Sequence, residues 1–239
     1  MPNYTSIGGV WSPSLELAKG HTLIAGITGS GKSVLENRIL SDVLAFPPQC
    51  WQLVLIDPKK VELQDYRKMR QCLRYADNPQ KTVAALDFAL SEMDRRYKTI
   101  KGQGKKSWEG SRLLVVIDEL ADIMTTNRKQ CLPRLQRLAQ LGRAAGVFLL
   151  ACTQSPSRKT IPAELVLNFQ NRVALRCAFP IESRQIIGSD LACSLPRFGR
   201  GYWLTSSGDL KEFERIPPAD PTLTAQRLKA WRRSLFHLF

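Results

Sequence analysis

Histidine is almost missing from this sequence: His21 and His237 are the two among 239 residues. A metal centre or catalytic dyad built on imidazole is therefore not expected. The six cysteines, Cys50, Cys72, Cys131, Cys152, Cys177 and Cys193, form no C-x-x-C pair, and several sit in apolar runs. That scatter excludes a zinc ribbon and a disulfide framework, and suits small buried thiols in a reducing compartment. No apolar stretch approaches the roughly 20 residues of a membrane span, and the N-terminus lacks the charged and apolar regions of a signal peptide. A soluble, cytoplasmic protein is expected. Internal repeats, low-complexity tracts and a convincing domain linker are lacking too, so a hydrophobic content of 44% points to one domain with a large core. Acid is scarce: 21 Asp and Glu stand against 35 Lys and Arg, a formal charge of +14. Such a field attracts polyanions, either nucleic acid or an anionic membrane surface, and charge alone does not choose between them.

What is present is organised around Gly26-Ile27-Thr28-Gly29-Ser30-Gly31-Lys32-Ser33, a G-x-x-x-x-G-K-S sequence followed by Val34. An apolar run, His21 to Ala25, precedes it and a helix-like run, Val34 to Phe46, follows, which is the order a phosphate-binding loop needs. Its glycines permit backbone shapes closed to other residues, so successive N–H groups can converge on one anion. The following helix adds free N–H groups and the positive end of its dipole. Lys32 is expected to reach the β- and γ-phosphates and the Ser33 hydroxyl to hold Mg²⁺, making ATP with Mg²⁺ the expected ligand.

Strands and helices alternate along the rest of the chain. Trp51 to Asp57 and Leu113 to Glu119 are apolar runs that end in acid, as strands buried on both faces would. Asp77-Asn78-Pro79 signals the start of a long helix to about Ile100. Lys101 to Gly110, with three lysines and three glycines, reads as a flexible loop. A helix from Arg128 to Ala145, closed by Gly146, leads to a strand Val147 to Cys152, and Arg172 to Cys177 and Gly201 to Leu204 read as further strands. The fold class is therefore α/β: a P-loop NTPase with a mostly parallel central sheet and helices on both faces.

Asp118 and Glu119 form the second constellation. A carboxylate at the end of a buried strand beside a P-loop can hold Mg²⁺, here Asp118. The adjacent Glu119 can then orient and deprotonate the attacking water, since hydrolysis of ATP needs a placed nucleophile more than covalent chemistry. The plain alternative is a strand that happens to end in two solvated acids.

Seven segments give a narrower signal: Gly26 to Val34 (GITGSGKSV), Leu55 to Leu63 (LIDPKKVEL), Met93 to Lys98 (MDRRYK), Val116 to Asp122 (VIDELAD), Leu138 to Gly146 (LAQLGRAAG), Ala151 to Ser157 (ACTQSPS) and Glu182 to Ile186 (ESRQI). In this order and spacing they resemble the motor domain of the FtsK/SpoIIIE DNA translocases, in the HerA–FtsK branch of RecA-like ATPases. The resemblance implies an ATP-hydrolysing ring, a hexamer, that moves double-stranded DNA. It implies that Thr153 and Gln154 sense the γ-phosphate, and that Arg143 is an arginine finger entering the neighbouring subunit's site. A guanidinium suits the charge spread over the γ-phosphoryl oxygens, although from the residues alone Arg143 could simply complement a helix dipole. Arg184 matches a pore-loop position that touches DNA. Two departures weaken the match there: Ser155 stands where the family has arginine, and Pro180 where it has lysine. Arg158 and Lys159 lie close enough downstream to replace that charge.

The expected organisation is a short N-terminal cap (1–20), the RecA-like motor domain (21–216) and a basic amphipathic tail (217–239). The tail sets Leu228, Trp231, Leu235, Phe236 and Leu238 among Arg227, Lys229, Arg232 and Arg233, either as a packed terminal helix or as a dock for a portal, a relaxase or an anionic membrane. Membrane spans and a winged-helix module are not evident, which suits a minimal motor of a virus, plasmid or mobile element that is recruited to a membrane or capsid by a partner. A fragment of a longer chain would look the same. Two other classes stay open: a nucleotide-gated assembly scaffold with little turnover, and a small-molecule kinase, against which stand the basic excess and the lack of an acceptor lid.

Overall fold

The computed structural model describes residues 19–214. The expected tail lies outside these residues, as does the expected cap apart from Lys19 and Gly20. Eight strands form one sheet in the order β3-β2-β4-β5-β1-β6-β7-β8. They are β1 (Thr22–Ala25), β2 (Trp51–Ile56), β3 (Cys72–Ala76), β4 (Arg112–Ile117), β5 (Val147–Thr153), β6 (Asn171–Ala174), β7 (Arg200–Leu204) and β8 (Leu210–Glu214). The first six in chain order run parallel to their neighbours, whereas β7 and β8 add on antiparallel.

The central strands are apolar at nearly every position because both faces are covered. In β4, Leu113, Val115 and Ile117 join the cluster that contains Leu86, Met93, Leu135 and Leu138, which come from α2 (Pro79–Gly102) and a later helix, α4 (Arg128–Leu141). Leu114 and Val116 point the other way, into the cluster with Leu35, Ile39 and Val43 of α1 (Lys32–Leu44). Alternation by two divides one strand between two cores, and burying each such side chain contributes about 1.5–3 kcal/mol. Three short helices, α3 (Leu120–Thr126), α5 (Ala163–Leu167) and α6 (Pro180–Ile187), complete the layers.

Helix starts follow the local signals. The Asn78 side chain accepts the Lys81 N–H at 2.9 Å with Pro79 in the first turn, so α2 begins where the sequence places it. Two elements escaped that reading. β3 is a half-exposed edge strand of mixed polarity, and α3 starts directly after the acidic pair with Glu119 as its cap, which hides the boundary. The stretch from Lys101 to Gly110 also differs from its expected free loop. Its first two residues belong to α2, and Trp108 is anchored, its N–H donating to the Ala144 carbonyl at 2.8 Å and its ring lying 5.0 Å from the Arg96 guanidinium. Among the described residues no helix is long and apolar enough to cross a membrane, and all six cysteines are free.

Strand register places the chemistry. Ala25 lies beside Thr153, Ala151 beside Ile117, and Ile117 beside Ile56. The phosphate-type loop after β1, Asp57 after β2, Asp118 and Glu119 after β4, and Gln154 after β5 therefore share one edge, the carboxyl ends of parallel strands where open α/β sheets bind ligands.

Candidate nucleotide site

The loop from Gly26 to Gly31 turns tightly between β1 and α1. A side chain at Gly26 would put its Cβ 2.6 Å from Ser30 Oγ and 2.9 Å from Leu175 Cβ, so only glycine lets the loop close against β6. Gly31 has φ 101°, in the left-handed region, and directs the chain into the helix. Lys32 bends back over the loop, its Nζ donating to the carbonyls of Gly26 at 2.7 Å and Ile27 at 3.0 Å. Burial pushes the Lys32 ammonium below its ordinary range, and the nearby acidic groups, Glu119 and Asp118 among them, oppose that shift. Ile27, Thr28 and Gly29 lie along the loop's open side, and Val34 is exposed on the first turn of α1.

The expected partners gather here. Thr28 Oγ1 donates to Gln154 Oε1 at 2.7 Å, joining the loop to the end of β5. Both oxygens of Glu119 accept the Gln154 N–H at 3.2 Å, and Oε1 also accepts the Ala121 N–H at 3.3 Å. Thr153 is fully buried, with its hydroxyl accepting the Ser155 N–H. Asp118 is pushed up to about 6, first by burial and then by the charges of Asp57, Glu62 and Glu119.

Several residues of this cluster were not singled out from sequence. Glu62 accepts the Ser33 hydroxyl at 2.8 Å, the hydroxyl expected at Mg²⁺. Glu36, fully buried on α1, has its carboxyl driven well above the usual range, by burial and then by Asp118 and Glu62. Lys59 lies 3.6 Å from Glu119 and 3.7 Å from Asp122. Hydroxyl and carboxylate oxygens crowded on one another suit a hard cation, which would relieve their repulsion. Among the described residues no three His, Cys, Asp or Glu side chains make a cage, so Mg²⁺ would take its remaining ligands from phosphate and water. Glu62 and Lys59 do fall inside the LIDPKKVEL segment, so position could have flagged them; Glu36 carried no signal beyond a polar residue on a buried helical face.

Arg143 is not at this site. It sits in a 3-10 turn, Gly142–Ala145, between α4 and the start of β5, at the opposite edge of the sheet. Seven residues of β5 separate the two ends, roughly 20 Å at the rise of a strand, far beyond the reach of one side chain. The turn is braced from behind by Arg96, which is fully buried and donates to the carbonyls of Ala145 at 3.1 Å and Gly146 at 2.9 Å while pairing with Glu92 at 2.7 Å. The exposed Arg143 opens onto a cavity of about 330 Å³ shared with Lys19, Lys211, Gln170, Asn171 and Thr205.

The three expected DNA contacts lie on exposed ground near one another in the fold. Arg158 and Lys159 are in the loop after β5, which Arg128 secures by donating to the Lys159 and Thr160 carbonyls at 3.1 Å. Gln185 of α6 ties that loop to Arg184's helix by donating to the Ile161 carbonyl at 3.1 Å. Arg184 is itself paired with Asp190 at 2.8 Å.

The sequence model of the FtsK/SpoIIIE family matches residues 10–112 and 103–158. The DNA translocase FtsK of Helicobacter pylori strain J99 is 40% identical over 199 residues, 77% of this chain and 23% of the relative. That of Chlorobaculum tepidum is 35% identical over 220 residues, 83% of this chain and 27% of the relative. The chain thus spans about a quarter of the length of these relatives. Among solved structures, the pCW3 conjugation coupling protein TcpA with ATPγS superposes with a TM-score of 0.76 at 25% identity, covering 90% of this chain and 66% of that one. With the match running through the phosphate loop, the acidic pair and the β5 segment alike, this chain belongs to the FtsK/SpoIIIE family.

Proposed function

We propose that this chain hydrolyses ATP as one subunit of a homo-oligomeric ring, a hexamer, and that the ring drives double-stranded DNA along its central passage. The observation that carries the reading is the meeting of Lys32, the Asp118–Glu119 pair and the Thr153–Gln154 pair at the carboxyl ends of three adjacent strands. Lys32 and the loop N–H groups hold the β- and γ-phosphates, and Ser33 and Asp118 hold Mg²⁺, which when bound neutralises charge on the phosphoryl oxygens. Glu119, fixed by the Gln154 and Ala121 N–H groups, takes the proton of the attacking water. Gln154 reports the γ-phosphate to the loop through Thr28.

Arg143 completes the site of a neighbouring copy. Its distance from its own phosphate loop rules out service in cis, and a head-to-tail contact between copies closes into a ring when the rotation allows. The cavity beside Arg143, with Lys19 and Lys211 on its walls, adds positive charge to the same face. Arg158, Lys159 and Arg184 contact DNA phosphates, and the sign of the chain's charge favours that ligand. The ring works in the cytoplasm and is brought to a capsid or membrane by a partner such as a portal or a relaxase.

The test is the ATPase rate against added linear duplex DNA at low and moderate salt. Stimulation that weakens with salt supports a DNA-driven motor; a turnover indifferent to duplex would sink the DNA part of the reading.

A further inference from the structure

Asp57 follows β2 with no exposed surface, and its carboxylate accepts the N–H groups of Val61 at 3.3 Å and Leu63 at 3.1 Å and the Tyr75 hydroxyl at 3.2 Å. These bonds draw Pro58 to Glu62 into a tight turn in which Lys60 adopts φ 60°. The turn carries Lys59 across the end of β4, where its Nζ lies 3.6 Å from Glu119 Oε2 and 3.7 Å from Asp122 Oδ2. Lys59 is also close enough to Lys32 to depress its ammonium, and to Asp118 to favour its ionised form. Two lysines, Lys32 and Lys59, thus lie within electrostatic reach of each other and of the acidic pair beside the phosphate loop.

The two ends of the Lys59–Glu119 contact differ. Glu119 has a side chain 4% exposed and held by backbone N–H groups, while that of Lys59 is 41% exposed. At 3.6 Å the contact is ionic and too long for a hydrogen bond. The exposed Lys59 can leave while the backbone N–H groups of Gln154 and Ala121 go on compensating the buried Glu119, and a phosphate oxygen offers the lysine a more highly charged partner.

We propose that Lys59 is a second phosphate-facing lysine that changes partners with the state of the site. With no γ-phosphate present it pairs with Glu119 and Asp122; with ATP bound it turns to the γ-phosphate and leaves Glu119 Oε2 open to the attacking water. In the step that follows, the water oxygen bonds to the γ-phosphorus, the bond to the bridging oxygen of ADP breaks, and the water proton passes to Glu119. Glu119 is thereby freed as a base only when the γ-phosphate is in place. This inference rests on the reading of the site as an ATPase.

The test measures equilibrium binding of ADP and of a non-hydrolysable imido analogue of ATP, both with Mg²⁺, to the wild-type chain and to Lys59→Met and Lys59→Arg. Turnover of ATP is followed in parallel. Lys59→Met is expected to bind ADP within about twofold of wild type, to bind the ATP analogue about tenfold more weakly and to turn over more slowly, and Lys59→Arg to recover most of the analogue's affinity. Equal weakening of both nucleotides, with a lowered melting temperature, would make the pair a structural brace and overturn the proposal; so would unchanged affinity for both. A wild-type chain that binds neither nucleotide overturns the ATPase reading as well, which separates the two failures.

Discussion

The two edges of the sheet are made by the same parallel strands and carry opposite chemistry. At the carboxyl edge, Asp57, Glu62, Asp118, Glu119 and Asp122 gather around Lys32 and Lys59, and burial, followed by the charges of Asp57, Glu62 and Glu119, pushes Asp118 up to about 6. At the amino edge, Arg143 and Lys211 face a polar cavity, with no ion pair to either among the described residues. Each edge has what the other needs: one collects carboxylates around a site for metal and phosphate, the other presents cations where no phosphate loop lies within reach. The difference teaches that one of the four proposed catalytic residues, Arg143, would be useful only between copies of the chain.

The hardest test of that contrast is Arg143→Ala, expected to lower ATP turnover by about 10³-fold or more while nucleotide affinity holds. Mixing it with Glu119→Gln sharpens the test. Each variant alone is inactive, yet an interface that takes Glu119 from one and Arg143 from the other is complete, so the mixture should regain activity. A mixture as inactive as its components would mean that Arg143 does not act across copies. By itself, Glu119→Gln should cost about 10²–10⁴ in turnover and leave binding of the non-hydrolysable analogue intact, which equilibrium titration would show.

A smaller effect belongs to the amino edge alone. His21 lies fully buried beneath Arg143, its Nδ1 accepting the Leu149 N–H at 3.0 Å, and burial followed by the Arg143 charge lowers its imidazole to about 4. Between that value and the unfolded 6.5 the unfolded chain binds the extra proton, so stability is complete above pH 6.5 and falls as the pH drops, by up to roughly 3 kcal/mol at pH 4. Urea unfolding at pH 7 and pH 5 should reveal this, and His21→Gln should flatten the difference. The smallest change expected is at the DNA contacts. Replacing Arg158, Lys159 or Arg184 singly by Ala should reduce the salt slope of duplex binding by about one each. Arg184, already neutralised in part by Asp190 at 2.8 Å, tests whether that pair opens for DNA; an unaltered slope would remove it from the contact set.

Much of the carboxyl edge was legible residue by residue. Gly26 to Ser33 announces itself because a phosphate loop is local: its glycines, lysine and serine act within eight residues of one another. Asp118 and Glu119 were legible because a strand buried on both faces leaves an apolar run whose end is easy to see. Lys59, Glu62 and Glu36 were not, since what gives them meaning is the neighbour each meets: Glu119, Ser33 and Asp118. Arg96 was equally silent. As one arginine of MDRRYK it looked like any helical cation, and only the approach of Gly146 from 50 residues away makes it the brace of the Arg143 turn.

The sequence by itself determined the alternation of strand and helix, the phosphate loop, the acidic pair and the excess of positive charge, because propensity, period and short motifs act over a few residues. The tertiary structure alone decided that β7 and β8 run antiparallel, that Trp108 anchors its loop, that Lys59 reaches Glu119, and that Arg143 lies a strand's length from its own nucleotide loop. Those outcomes depend on strand order and register, which are set by packing between segments far apart in the chain and leave no local pattern to read.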